Sequence, residues 1–126
     1  MSQQDQLKQF AAQFVSVFYN SFDTNKANLA NFFQPMSTLT FETNTIQGAQ
    51  NILQHIQNLP FKQTQHQIAV LDVQQVPGSV PMLFIKVIGR LTIDGENPLL
   101  FTESFILTQA NNNWFVLNDI MRLANI

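Results

Sequence analysis

The chain reads as an α+β domain in which helices precede strands. Two observations predict this. The spacing of apolar residues switches once, near Pro60, from a three-to-four period to a period of two, and the segments after that switch are joined by short turn-forming sequences. A chain of 126 residues, 45% of them hydrophobic, is long enough for one well-buried core and too short for two, so a single domain over residues 1–126 is expected.

Taken in order, Leu7, Phe10, Phe14 and Phe18, with Ala11 and Val15 beside them, recur at the spacing of an amphipathic helix. Leu29, Phe32 and Phe33 predict a shorter second helix, with Thr24 or Asn25 as its N-cap and Pro35 marking its end. Leu39 to Glu42 reads as a short extended segment. Ile52, Leu53, Ile56 and Leu59 make a third helical stripe, entered after Gly48 and stopped by Pro60. Beyond it, Gln63 to Gln74, Val80 to Ile93, Leu99 to Gln109 and Trp114 to Leu123 read as four strands. Pro77-Gly78-Ser79, Asp94-Gly95-Glu96-Asn97-Pro98 and Asn111-Asn112-Asn113 separate them, all turn-forming sequences. Short turns between long strands imply an antiparallel meander, with the helices covering one face.

Composition narrows the partners. Only 11% of residues are charged, well below the ~25% usual in soluble proteins, and Gln and Asn supply the polar surface instead. The net charge of -2 and the lack of any Lys/Arg cluster argue against nucleic acid or a membrane surface as a partner, because both need clustered positive charge. Without cysteine there is no disulfide framework, no thiolate metal site and no cysteine nucleophile. No cofactor and no metal are expected. The start, Met1 to Gln6, lacks the basic and apolar runs of a secretory signal, and no apolar run approaches the ~20 residues of a membrane span, so a cytosolic or nuclear protein is expected.

Against this background a few polar residues stand out. In the strand from Gln63, Thr64, His66, Ile68 and Val70 share one face while Gln63, Gln65 and Gln67 point the other way. His66 in that apolar row reads either as a hydrogen-bonded core histidine or as a site residue. Glu42, and Asp94 with Glu96 in the turn, read either as solvated turn carboxylates or as an acidic set.

Four segments, Leu39-Thr40-Phe41-Glu42, Leu59-Pro60-Phe61 with Gln65-His66 beyond it, Gly89 to Asp94, and Asn118 to Leu123, occur in an order and at separations that resemble the nuclear transport factor 2 family. The resemblance spans about Phe14 to Leu123. It implies a cone: three N-terminal helices packed in a strongly curved, mainly antiparallel sheet that leaves an apolar cavity at its open end. It also implies a nuclear import adaptor without catalytic residues, which binds the GDP form of the small GTPase Ran and Phe-Gly repeat nucleoporins and returns Ran to the nucleus. By resemblance, Glu42, His66, Asp94 and Glu96 form the Ran-binding rim, and Phe41, Leu59, Thr64, Leu100, Ile120 and Met121 line the cavity. Thr64 departs from the aliphatic residue of the family. Leu7, where the family has an aromatic, and Phe10 are the implied nucleoporin contacts. Lys86 falls in the sheet face through which the family forms a homodimer, with Glu103 as a candidate partner for Lys86 or Arg90. The implied location is cytoplasm and nucleus, concentrated at the nuclear envelope. Two other readings stand beside it: an isomerase- or dehydratase-type enzyme using His66 with Asp119 or Asp72, and a partner subunit of an RNA-export factor, which would heterodimerise through the same sheet.

Overall fold

The computed structural model describes residues 1–124. Helix α1 spans Gln3–Thr24 and opens on a reciprocal cap, in which the Ser2 hydroxyl accepts from the Asp5 N–H (3.0 Å) and the Asp5 carboxylate accepts from the Ser2 N–H (3.4 Å). Its buried stripe, Ala11, Val15, Phe18, Tyr19 and Phe22, continues the predicted period by one further turn.

The second predicted helix is a 3-10 segment, Lys26–Phe32, and Asn25 at its start makes no side-chain cap. Phe33 and Pro35 do not belong to it. Strand β1 begins at Phe33 and runs to Phe41, because Phe33 takes an extended conformation and pairs with Val116. Pro35, which lacks an N–H, sits where the pairing register shifts between Phe33 and Thr38, the kind of irregularity that tolerates it. A turn through Glu42 and Thr43 leads to β2 (Asn44–Gln47), a short and mostly polar strand without an apolar signal. Helix α2 (Ala49–Gln57) follows Gly48, whose φ of 95° suits glycine, and ends before Pro60 as expected.

Strands β3 (Thr64–Gln75), β4 (Met82–Ile93), β5 (Leu99–Ala110) and β6 (Asn113–Leu123) form the antiparallel meander, within two residues of the predicted bounds. The full order is β2-β1-β6-β5-β4-β3, with β1 and β6 parallel. The sheet curves without closing, and α1 packs on its inner face. There the Phe18 ring meets Phe105 edge-on at 5.2 Å and Phe32 at 5.4 Å. No helix among the described residues is long and apolar enough to cross a membrane.

A bulge in β3 between Ile68 and Val70 breaks the side-chain alternation there. Thr64, His66 and Ile68 face inward as expected, but Val70 turns out to solvent and Leu71 and Val73 take the core positions. Gly89 stands opposite, with Ile68 as its register partner. A Cβ on it would overlap the Gln67 carbonyl oxygen and lie 2.9 Å from the Phe101 ring, so the close approach excludes any side chain.

The bulge and Gly89 thus depend on each other. Gly89→Ala is expected to destabilise the protein by about 2 kcal/mol or more, since neither backbone nor a buried phenylalanine yields cheaply. A urea melt checks it; an unchanged midpoint would refute the account.

Candidate functional site

At one end of the inner layer, the end of β1, the last turn of α2 and the segment after it enclose a cleft of about 350 Å³ lined by Phe41, Glu42, Asn44, His55, Asn58, Leu59, Pro60 and Phe61. The His55 ring contacts the Phe41 ring edge-on at 6.0 Å. Proline ends α2 here and turns Leu59 and Phe61 toward Phe41, which is why an LPF sequence after a helix builds a wall.

Two acids are held in this region, Glu42 in the lining of the cleft and Asp94 in the turn after β4, outside that lining. Glu42 has a left-handed backbone (φ 59°) fixed by its N–H donating to the Met121 carbonyl at 2.9 Å. Its Oε1 accepts the Leu123 N–H at 2.6 Å, and its Oε2 lies 3.7 Å from Arg122 Nη1. Asp94 is likewise left-handed (φ 52°), and its Oδ1 accepts the N–H groups of Lys62 (2.9 Å) and Gln63 (2.7 Å), just past the wall residue Phe61. In each case one carboxylate oxygen is tied to main-chain donors, which fixes the direction of the other. Such φ values cost about 1 kcal/mol or more outside glycine and persist only where neighbours over-determine them. Glu96 is exposed in the same turn as Asp94.

His66 does not stand on a rim. Its side chain is 3% exposed, stacked on Tyr19 (centroids 4.4 Å, planes 6° apart) and edge-on to Phe22 and Phe101 at 5.0 and 5.3 Å. Asp23, near the end of α1, closes the arrangement. Its Oδ1 accepts from His66 Nδ1 (2.7 Å) and the Thr64 hydroxyl (2.8 Å), and its Oδ2 from the His66 main-chain N–H (2.8 Å). Burial would raise the Asp23 pKa, but the bonds from His66 and Thr64 outweigh it and hold the carboxyl below its ordinary value. Tyr19, Asp23, Thr64 and His66 form the floor of a second, open concavity of about 830 Å³ between α1 and β3, otherwise walled by polar chains such as Asn20, Gln65 and Gln67.

The expected cavity set therefore divides. Phe41 and Leu59 meet in the cleft with Glu42, while Met121 is buried beside Phe41 across the β1–β6 pairing. Thr64 belongs to the Asp23 cluster instead, where its hydroxyl has a use that an aliphatic side chain would lack. Leu100 and Ile120 lie on the outer face of the sheet, about half exposed, because strand alternation sends Ile120 opposite to Met121 and Leu100 opposite to Phe101.

Lys86 is also on the outer face, its Nζ 3.4 Å from the Ser104 hydroxyl and its register partner on β3 being Asp72. Glu103 is not its partner, nor that of Arg90, since it points inward and accepts from the Tyr19 hydroxyl at 2.9 Å. The enzyme reading loses its pair for the same reason: Asp72 faces outward, and Asp119 is buried with neither oxygen bonded, whereas His66 is held by Asp23. Leu7 and Phe10 are half-buried on α1, with the Phe10 ring 5.4 Å from Trp114. Asp23, Tyr19, Arg122 and Trp114 escaped the sequence reading. Their partners lie 41 or more residues away, so no local pattern marks them.

The Asp23 cluster carries a stability prediction with a definite sign. A carboxyl whose folded pKa lies below its unfolded value contributes fully above the unfolded value, about 3.9, and loses that contribution as pH falls through the folded one. Asp23→Ala should cost roughly 2 kcal/mol or more at neutral pH, leaving three donors without their acceptor, and the deficit should shrink as pH falls through that window. Denaturation of both proteins between pH 2.5 and 7 reads this out; a deficit independent of pH would refute it.

Comparison with known proteins gives these features a family. The Nuclear transport factor 2 (NTF2) domain model matches residues 10–123. Nuclear transport factor 2 of Emericella nidulans is 41% identical over 115 residues, covering 90% of this chain and 91% of that protein. The Saccharomyces cerevisiae protein of the same name is 40% identical over 114 residues, covering 90% of each. The solved structure of nuclear transport factor 2 from Cryptosporidium parvum superposes with a TM-score of 0.84 at 33% identity, covering 98% of this chain and 99% of that one. The chain belongs to the nuclear transport factor 2 family, and so to the transport factors of the nucleus rather than to the enzymes that share its fold.

Proposed function

We propose that this protein is a nuclear import adaptor that binds the GDP form of Ran at the Phe41–Phe61 cleft and Phe-Gly repeat nucleoporins along α1, and so returns Ran to the nucleus. The observation that supports the reading is the immobilised acid Glu42 lining a cleft of side-chain dimensions walled by Phe41, Leu59 and Phe61, with a second held acid, Asp94, bound to the main chain of Lys62 and Gln63 just past that wall. An aromatic anchor of the GTPase enters the cleft, and Lys or Arg beside it meets the acids. Fixed carboxylates lose little freedom on binding, so more of the contact energy is retained. Glu96 adds charge at the same rim. His66 acts through the wall it holds, by fixing Asp23 and the start of β3, and not by touching the partner.

For nucleoporin repeats, the contact surface is Leu7 and Phe10 with Trp114 beside them. Leu7 alone lacks the stacking geometry of an aromatic, and the Phe10–Trp114 pair supplies it. A homodimer is proposed through the outer sheet face, where Phe84, Ile88 and Ile120 surround Lys86, an apolar patch with too few charges to stay in water. Asp72, the register partner of Lys86 on β3, places a carboxylate in the same cross-strand row without pairing with it in the single chain. Location in cytoplasm and nucleus, concentrated at the nuclear envelope, follows from the two partners.

Calorimetry against Ran loaded with GDP or with a GTP analogue is the decisive experiment: binding of the GDP form alone is expected, and binding of neither overturns the reading. Glu42→Gln keeps the acceptor for the Leu123 N–H while removing the charge. It should weaken GDP-form binding by about 2 kcal/mol with the fold intact, whereas undiminished affinity excludes a rim role.

Sedimentation at micromolar concentration should give a dimer, and Phe84→Glu a monomer. A wild-type monomer would remove the outer face as an interface.

A further inference from the structure

We propose that Glu103 and Asp119 form a proton-binding site in the core, holding one proton between them at neutral pH. Glu103 pairs with Met121 and Asp119 with Phe105 across β5 and β6, so the two carboxyls are diagonal neighbours on the inner face. Glu103 is 4% exposed and Asp119 1%. Among the described residues, neither oxygen of Asp119 has a hydrogen-bond partner, and Glu103 accepts from the Tyr19 hydroxyl at 2.9 Å.

The surroundings offer no compensating cation. Among the described residues, no Lys, Arg or His forms an ion pair with either acid. From α1 come Tyr19 and, beyond its ring, Asp23; from β3 comes His66, stacked on Tyr19 but bound to Asp23; from β1 the register partner of Asp119 is Leu39. Two ionised carboxylates so enclosed would face both desolvation and mutual repulsion, and protonating one is the least costly escape. Burial pushes Asp119 well above the ordinary carboxylate range, and the negative charge of Glu103 pushes it further. Tyr19 is raised the same way, by burial first and then by Glu103 and Asp119, so it stays a neutral donor. A proton on Asp119 converts one of its two orphan acceptors into a donor for Glu103, so that Tyr19 and Asp119 both donate to one carboxylate. A metal ion fits poorly, because two carboxylates and a phenol are too few oxygens for a hard cation.

The sign of the linkage follows. The folded chain keeps a proton that the unfolded chain releases near pH 4, so the contribution to stability is whole below that value and is lost as pH rises through the raised folded value. Denaturation at fixed protein concentration from pH 5 to 9 measures it. The wild-type folding constant should fall by up to tenfold per pH unit, about 1.4 kcal/mol, relative to Asp119→Asn, whose neutral amide also donates to Glu103. Taking the difference removes the pH dependence that both proteins share. Parallel profiles would overturn the proposal. Should Asp119→Asn fail to fold, the wild-type protein decides alone: carboxyl carbon resonances at pH 7 should show one protonated side-chain carboxyl assigned to Asp119 or Glu103, and two ionised carboxylates there would equally refute it.

Discussion

The seating of α1 in the concave sheet is the constraint on which the rest of the structure depends. One helix supplies Phe18 to the aromatic centre, Tyr19 to both Glu103 and His66, and Asp23 to the first turn of β3. Strand β3 is one of the two sheet edges, a row of unpaired main-chain groups that would otherwise invite another chain. Gln4 Nε2 donates to the Val73 carbonyl at 3.0 Å and Asp23 accepts the His66 N–H, so α1 covers that edge at both ends. With only 11% charged residues, the protein has little electrostatic repulsion against self-association, and covering the edge does that work instead.

The proposed Ran-binding acids sit where the backbone is constrained. Glu42, in the lining of the cleft, and Asp94, bound just past its wall, occupy left-handed conformations in tight turns, and main-chain donors from Leu123, Lys62 and Gln63 hold their carboxylates. Strain of this kind is retained because it aims a charge before any partner arrives. The Glu42–Arg122 contact, partly exposed and 3.7 Å long, is a weak ion pair of the kind solvent screens.

The two faces of the sheet divide the remaining tasks. The inner face carries phenylalanines together with an acid pair that must keep a proton to remain there. The outer face carries isolated large apolar residues around one lysine, a composition suited to contact with another protein surface. Alternation along β5 and β6 enforces the division residue by residue: Phe101, Glu103 and Phe105 point inward while Leu100, Thr102 and Ser104 point outward.

Periodicity and turn chemistry were sufficient for the helix-then-meander order, for α2 and its proline stop, and for all four meander strands, because those signals are local and repeat within a few residues. The family resemblance was legible in four collinear segments. The β1–β2 hairpin was not, since Asn44 to Gln47 has one apolar residue and its pairing depends on the parallel contact of β1 with β6, some 80 residues away. Nor was the bulge at Ile68–Val70, which turns Val70 outward. Tertiary structure also decided which polar residues meet. His66 sits in an apolar row in the sequence, yet only the fold brings Asp23 to it, Glu103 to Tyr19 rather than to Lys86, and Thr64 to the Asp23 carboxylate rather than to the Phe41–Phe61 cleft. Side-chain period tells which residues share a face of one strand. It carries no information about which distant element will cover that face, and burial forces every polar group there to find a partner or a proton.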